Sequence, residues 1–386
     1  MRRIYVDHAS TTPPDPEVRR AMLPFLGERF GSASSPHTRG ERARQVIEEA
    51  RAAIADLLRA RSDEIIFTGS ASEANNLALK GIAQAYGDKR RGHLIAPAIE
   101  HISILHPLKT LARQGFRITL LPVDRQGAID PDDLRKALAS DTILVSLAHA
   151  SSEIGTVQAL TDLCRVAHEA EIPVHCDATA TAGCLPWPRA SDRPDLVTLT
   201  PHLFYGPQGV GALRVPRGVR IAPLIEGGIQ ESGLRAGTEA LAAIAGFGVA
   251  ARLAVLRMTG RAGRAAGLAD RLRRALLERT DGIVLTGHPT LRIPGHLSLC
   301  VRGLEAELLL RALDDAGIEA ASGSSCTTGA GKPSHVLEAI GLDPVLSRGA
   351  LTFSFGEANR DGDAETVADS LQAILTRLRE MSPLPS

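Results

Sequence analysis

Short apolar runs alternate with stretches of helical periodicity through the first two thirds of the chain. That alternation is the pattern of a mostly parallel sheet covered on both faces. Strands are expected at Glu64–Phe67, His93–Ala96, Arg117–Leu121, Thr142–His149, Pro173–Asp177, Asp195–Thr200 and Gly211–Val215. Between them, Glu41–Ala60 puts Val46, Ile47, Ile54, Leu57 and Leu58 on one helical stripe. Further helices are expected at Ser72–Ala85, Ile104–Gln114, Pro131–Ala139 and Asp162–Ala170. Together these describe a large α/β domain.

After Gly237-Thr238 the order changes. A helical stretch from Glu239 to Leu256 leads to a separate arginine-rich helix ending near Glu278. A strand at Gly295–Val301, a helix at Glu305–Ala316, strands at Ile318–Ala321 and Ala350–Phe355 and a helix at Asp363–Arg379 follow. The division expected is a large α/β domain over 16–255 and a smaller α+β domain built from 1–15 and 256–386.

Charge narrows the possibilities. Lys+Arg and Asp+Glu are both 44 in 386 residues, so the chain has neither the basic balance of a nucleic-acid binder nor an acidic tail. No apolar run approaches the roughly 18 residues of a membrane-spanning helix, and no signal-like segment follows Met1-Arg-Arg-Ile. Five cysteines without metal spacing fit a reducing, cytoplasmic location. Lysine is scarce: only Lys80, Lys89, Lys109, Lys136 and Lys332.

Two segments carry recognisable chemistry. Phe67-Thr-Gly-Ser-Ala-Ser-Glu-Ala-Asn-Asn76 reads as a strand, a small-residue turn and a helix start. Bare N–H groups at a helix N-terminus beside a hydroxyl suit a phosphate, though Ser72 alone also reads as an ordinary N-cap. Leu199-Thr-Pro-His-Leu-Phe-Tyr-Gly-Pro-Gln-Gly-Val-Gly211 reads as a strand, a tight polar turn and a second strand.

With Glu100-His101, Cys176-Asp-Ala-Thr179, Arg235-Ala-Gly-Thr238 and Ala321-Ser-Gly-Ser-Ser-Cys326, these segments resemble the cysteine desulfurases in the same order along nearly the whole chain. These belong to the class V branch of the fold-type I pyridoxal phosphate (PLP) enzymes. The resemblance implies a PLP-transferase-like α/β fold, with a seven-stranded, mostly parallel sheet. It assigns Ala71, Ser72, Thr200 and His202 to the phosphate of PLP, and His101 to stacking on the ring and proton transfer. Asp177 would pair with the pyridine nitrogen, making the ring an electron sink. Thr238 would reach a neighbouring subunit's phosphate site, which implies a homodimer. Cys326 would be the nucleophile that becomes a persulfide, with Lys332 helping to lower its pKa. Taken singly, His101 and Asp177 read as a helix cap and a strand-end carboxylate. Cys164, Cys176, Cys184 and Cys300 read as small buried residues.

Four positions depart from the family pattern. Leu203 stands where the family has the lysine that holds PLP as a Schiff base, and Ala180 where it has a glutamine. Ser151 replaces an asparagine, and Thr352 replaces the arginine that clamps the substrate carboxylate. The resemblance therefore implies a desulfurase-like protein of sulfur metabolism that lacks PLP-dependent activity, with PLP non-covalent at most and no metal. Cys326 would act as a sulfur carrier, or the chain as a partner for an iron–sulfur scaffold or other sulfur acceptor. The alternatives are a working desulfurase with non-covalent PLP, and a pocket turned to another small phosphorylated molecule.

Overall fold

The computed structural model describes residues 2–86, 92–188, 193–323 and 334–381. It opens with β1 (Ile4–Tyr5), α1 (Pro16–Met22), α2 (Thr38–Leu58), β2 (Ile65–Thr68), α3 (Ala71–Tyr86), β3 (His93–Pro97) and α4 (Ile102–Arg113). Then come β4 (Arg117–Leu121), α5 (Pro131–Ala137), β5 (Thr142–Ala148), α6 (Leu160–His168), β6 (Val174–Asp177), β7 (Leu196–Leu199) and β8 (Gly211–Arg214). The remainder is α7 (Leu241–Arg279), β9 (Ile283–Leu285), β10 (His296–Val301), α8 (Ala306–Asp315), β11 (Ile318–Glu319), α9 (His335–Ala339), α10 (Pro344–Ser347), β12 (Ala350–Ser354) and α11 (Asp363–Met381).

The large sheet has the order β2-β8-β7-β6-β5-β3-β4. Only β8 runs antiparallel to its neighbours, β2 and β7. Its strands, apart from β4 at the edge, are buried on both faces, as cover by helix layers requires. In β2, Ile65 and Phe67 join α2, α6 and the first half of α7 in one core, while Ile66 joins α3 and α4 in another. Ile95 and Leu94 divide in the same way, the period of two that a strand imposes. A third core surrounds the antiparallel sheet β12-β10-β9 and includes Leu299, Phe353 and Leu371.

The two helices expected after Gly237 are one continuous helix of 39 residues. Its first half, from Leu241 to Ala254, packs in the sheet core, and its second, from Ala265 to Leu276, packs in the third core. Gly260, Gly263 and Gly267 face open space, so nothing there forces a break, and burial at both ends outweighs their low helix propensity. Gly248 lets α7 approach α2: a Cβ at that position would lie 2.6 Å from the Ala50 Cα. The first half of α7 also corrects the expectation about apolar runs. It is long and apolar enough to cross a membrane by length and composition, yet 61% of that window is buried inside the protein. It serves as a core helix in this fold.

Candidate functional site

The parallel strands of the large sheet deliver their C-terminal ends to one place, the usual ligand crevice of an open α/β sheet. A cavity of about 500 Å³ lies there. Ser70–Ser72 follow β2, Glu100 and His101 follow β3, Ser151 follows β5, Asp177 ends β6, and Thr200, His202 and Leu203 follow β7. Thr352 enters from β12 on the side of the third core.

The cup at the start of α3 is built from backbone. The first N–H groups of a helix have no intrahelical acceptor. Ser70 Oγ takes the Glu73 N–H at 3.1 Å, so Ser70, not Ser72, is the capping side chain. That leaves the N–H groups of Ala71 and Ser72 and the Ser72 hydroxyl at the cavity wall. Glu73 braces the turn from behind, accepting Gly69 N–H at 2.8 Å and Arg235 Nε at 3.0 Å. Gly211 is needed at this spot because a Cβ would sit 2.5 Å from the Ser70 carbonyl carbon and 2.9 Å from Ala71 N.

One turn into α3, Asn75 Nδ2 donates to Asp177 Oδ2 at 2.7 Å and to Ser103 Oγ at 2.9 Å. The other Asp177 oxygen accepts Thr179 N–H at 3.0 Å. His101 caps α4 through Nδ1, which accepts Ser103 N–H at 3.1 Å, and its ring lies at the cavity. Burial lowers its pKa. The cap reading and the cavity reading of His101 therefore hold together.

Glu100 is the residue sequence reasoning passed over. One oxygen accepts Ala148 N–H at 2.8 Å, and the other is buried without a hydrogen-bond partner. Burial, with the Asp177 charge adding to it, pushes the Glu100 pKa up to about 8. Thr352 Oγ1 is a second orphan in the same wall. The signal for Glu100 was its place beside His101; nothing in a single sequence marks it as unpaired.

The turn that carries Leu203 is held on several sides. Thr12 Oγ1 donates to the His202 carbonyl at 2.8 Å and accepts the Tyr205 N–H at 2.7 Å. Tyr205 sits at φ 67°, a costly conformation for a non-glycine. Its hydroxyl accepts Glu357 N–H at 2.8 Å, and Arg261 lies 4.4 Å over its ring. Thr200 Oγ1 donates to the Val210 carbonyl at 3.0 Å, closing the turn from within. All four departures, Leu203, Ala180, Ser151 and Thr352, line this one cavity.

Of the other expected site residues, Thr238 is exposed and outside the cavity. Cys326 and Lys332 lie outside the described residues. Glu153 meets both stems of that segment. Its carboxylate accepts the Ser334 hydroxyl, and a Cβ on Gly323 would lie 2.4 Å from its Cγ. Burial raises the Glu153 pKa to about 7. Cys164, Cys176 and Cys300 are buried, and Cys184 is half-buried. Among the described residues no group of His, Cys, Asp and Glu could hold a metal ion.

The site fits PLP at two ends and fails at the third. Free N–H groups suit its phosphate, and the doubly hydrogen-bonded Asp177 carboxylate suits a protonated ring nitrogen. Leu203, at the position where the resemblance expects the anchoring lysine, lines the cavity with an aliphatic side chain that cannot condense with an aldehyde.

Residues 4–367 match the family described as aminotransferase class-V. The cysteine desulfurase IscS of Dictyoglomus turgidum is 43% identical over 382 residues, spanning 99% of this chain and 97% of that protein. The cysteine desulfurase IscS 1 of Archaeoglobus fulgidus is 41% identical over 380 residues, covering 98% of this chain and 99% of its own. Among solved structures, a NifS-like protein superposes with a TM-score of 0.91 at 32% identity, covering 97% of this chain and 100% of its own. SspA in complex with cysteine superposes with a TM-score of 0.81 at 32% identity, over 92% and 99%.

Proposed function

The chain belongs to the class V aminotransferase family, among the cysteine desulfurases, and from that premise we propose that it has left PLP-dependent desulfuration and serves sulfur metabolism as a Cys326-based sulfur carrier or partner scaffold. The family depends on PLP, which when bound supplies an electron sink. The observation that carries the proposal is the gathering of Leu203, Ala180, Ser151 and Thr352 in the wall of a single cavity. One altered residue removes one contact. Four around one pocket remove the anchor, two polar partners and the substrate clamp together. What remains is what binding needs without chemistry: the α3 cup and the Asn75–Asp177 pair.

The small and polar residues around the cysteine in Ala321-Ser-Gly-Ser-Ser-Cys326 support its reading as a sulfur-accepting thiol. Exposed Ile225 and Ile229 on the segment leading to Thr238 support a homodimer. An iron–sulfur scaffold or another sulfur-acceptor protein is the partner this reading implies.

The test is the visible spectrum of the purified protein with and without added PLP, followed by sulfide release from L-cysteine. Neither a protein-linked yellow band nor turnover is expected. Steady sulfide and alanine production would overturn the reading. Persulfide labelling from a sulfur donor should disappear in Cys326→Ala; unchanged labelling would remove the carrier role.

A further inference from the structure

A second cavity, of about 80 Å³, lies behind Leu203, between the turn after β7, the middle of α7 and the antiparallel sheet. Leu203 and Ala180 line both cavities and form the wall between them. The α3 cup, Glu100 and Asp177 take no part in the second. It has room for several waters, or for a ligand of about four to six non-hydrogen atoms.

Two histidines line it from either side of Ser354. Ser354 pairs with His296 across β10 and β12, and its other edge bridges Asp7, the neighbour of His8. His8 is 7% exposed, and neither ring nitrogen has a partner. His296 is 2% exposed, and its Nε2 lies 3.0 Å from the Ser152 carbonyl. The proton therefore sits on Nε2, and Nδ1 is left as an unpartnered acceptor. Arg261 is held by Asp15 at 2.7 Å and Glu357 at 2.8 Å, which leaves its Nε–H as an unpartnered donor. Buried polar atoms without partners are rare in native structures, and three such side chains on one small cavity call for a missing group. Burial lowers His8 to about 4 and His296 to about 3, so both stay uncharged under ordinary conditions. With Arg261 already matched by carboxylates, the cavity has no charge for a ligand to answer.

We propose that this second cavity binds a small uncharged carboxamide, a primary amide with a short alkyl group. The unpartnered set contains both a donor and acceptors, and a primary amide answers them from separate atoms: its carbonyl accepts and its amino group donates. A hydroxyl offers both roles at one atom only. A carboxylate or an ammonium brings a charge that nothing here balances. Phe204, Ile293 and Phe355 supply apolar wall for the alkyl end. The site is separate from the cavity of the α3 cup, and it stands whether or not desulfuration has been lost.

The experiment is a saturation-transfer NMR titration of the purified full-length protein with acetamide, acetate, acetamidinium and propan-2-ol, probes of one size and shape. Acetamide should bind about tenfold or more tightly than each of the others. His8→Phe keeps a ring in place and removes both nitrogens, and it should weaken acetamide about tenfold. Ala262→Leu adds bulk to the cavity wall from α7 and should abolish binding. Thermal unfolding shows whether each variant is folded, and if His8→Phe is not, Ala262→Leu decides. Saturating PLP should leave acetamide bound. Equal affinity for the four probes, preference for a charged one, or no binding of acetamide overturns the proposal. So does binding that survives Ala262→Leu, or displacement of acetamide by PLP.

Discussion

Asn75 on α3 donates its Nδ2 to the Asp177 carboxylate at 2.7 Å, joining the helix that forms the anion cup to the strand end that faces the cavity centre. Both residues are buried. Replacing Asn75 by leucine strips Asp177 Oδ2 and Ser103 of their donor at once. A buried acceptor left unmade costs roughly 1–3 kcal/mol. Asn75→Leu should therefore lower the urea midpoint without changing the slope of the transition. It should also weaken phosphate-ligand binding, because the first turn of α3 loses its tie to β6.

Gly211 tests the cup from the other direction. Alanine there would place its Cβ 2.5 Å from the Ser70 carbonyl carbon and 2.9 Å from Ala71 N. Both obstacles are backbone, so the turn itself must move. Overpacking of this kind costs roughly 1–3 kcal/mol. Gly211→Ala should lose most of its affinity for inorganic phosphate and for B6 phosphates in calorimetry, while a control at Gly209, which faces open space at φ +80°, is strained yet leaves the cup in place.

Much of this was legible in the sequence. Strand β4 at Arg117–Leu121 falls where its apolar run put it, even though it is the partly exposed edge of the large sheet. The sequence pattern suggests two helices after Gly237, and only the structure shows Leu241–Arg279 unbroken, because its two flanks are buried in different cores. The four departures could be read by position, but only folding shows that they share a wall. Glu100, Asn75 and Glu153 were legible as letters and not as roles. Their importance lies in an orphaned oxygen, a bridging amide and a contact with both stems of one segment, and none of these is local in sequence.

Returning the amine alone should not return the enzyme. Leu203 stands on a turn pinned by Thr12 and Tyr205, so Leu203→Lys should present its side chain to the cavity without rebuilding the loop. Added PLP should then become covalently attached, seen as a borohydride-fixed mass increase. Sulfide release should stay low because Thr352 still offers no cation to the substrate carboxylate, an interaction worth roughly 1.5–3 kcal/mol. Adding Thr352→Arg should raise turnover by about tenfold or more. Full activity in Leu203→Lys alone would show that the other departures carry little weight.

The buried titratable groups set opposing pH limits on stability. Burial lowers His8, His93, His149 and His175 to about 4 and His296 to about 3. Between those values and the unfolded histidine pKa of about 6.5, the unfolded chain binds more protons, so stability rises with pH. Glu100 and Glu153 work the other way. Burial raises them to about 8 and about 7, so above their ordinary value of 4.5 the native state holds the extra proton and stability falls as pH increases. Up to about pH 7 the five imidazoles outweigh the two carboxyls, and above it, as the unfolded imidazoles lose their protons, the carboxyls dominate. Stability should peak near pH 7 and decline by roughly 1 kcal/mol on reaching pH 8 to 9. Urea titrations across that range would show it, and Glu100→Gln should flatten most of the alkaline limb while leaving the acid limb unchanged. A wild-type curve that keeps rising from pH 6.5 to 8 would mean that Glu100 is already ionised in the folded protein.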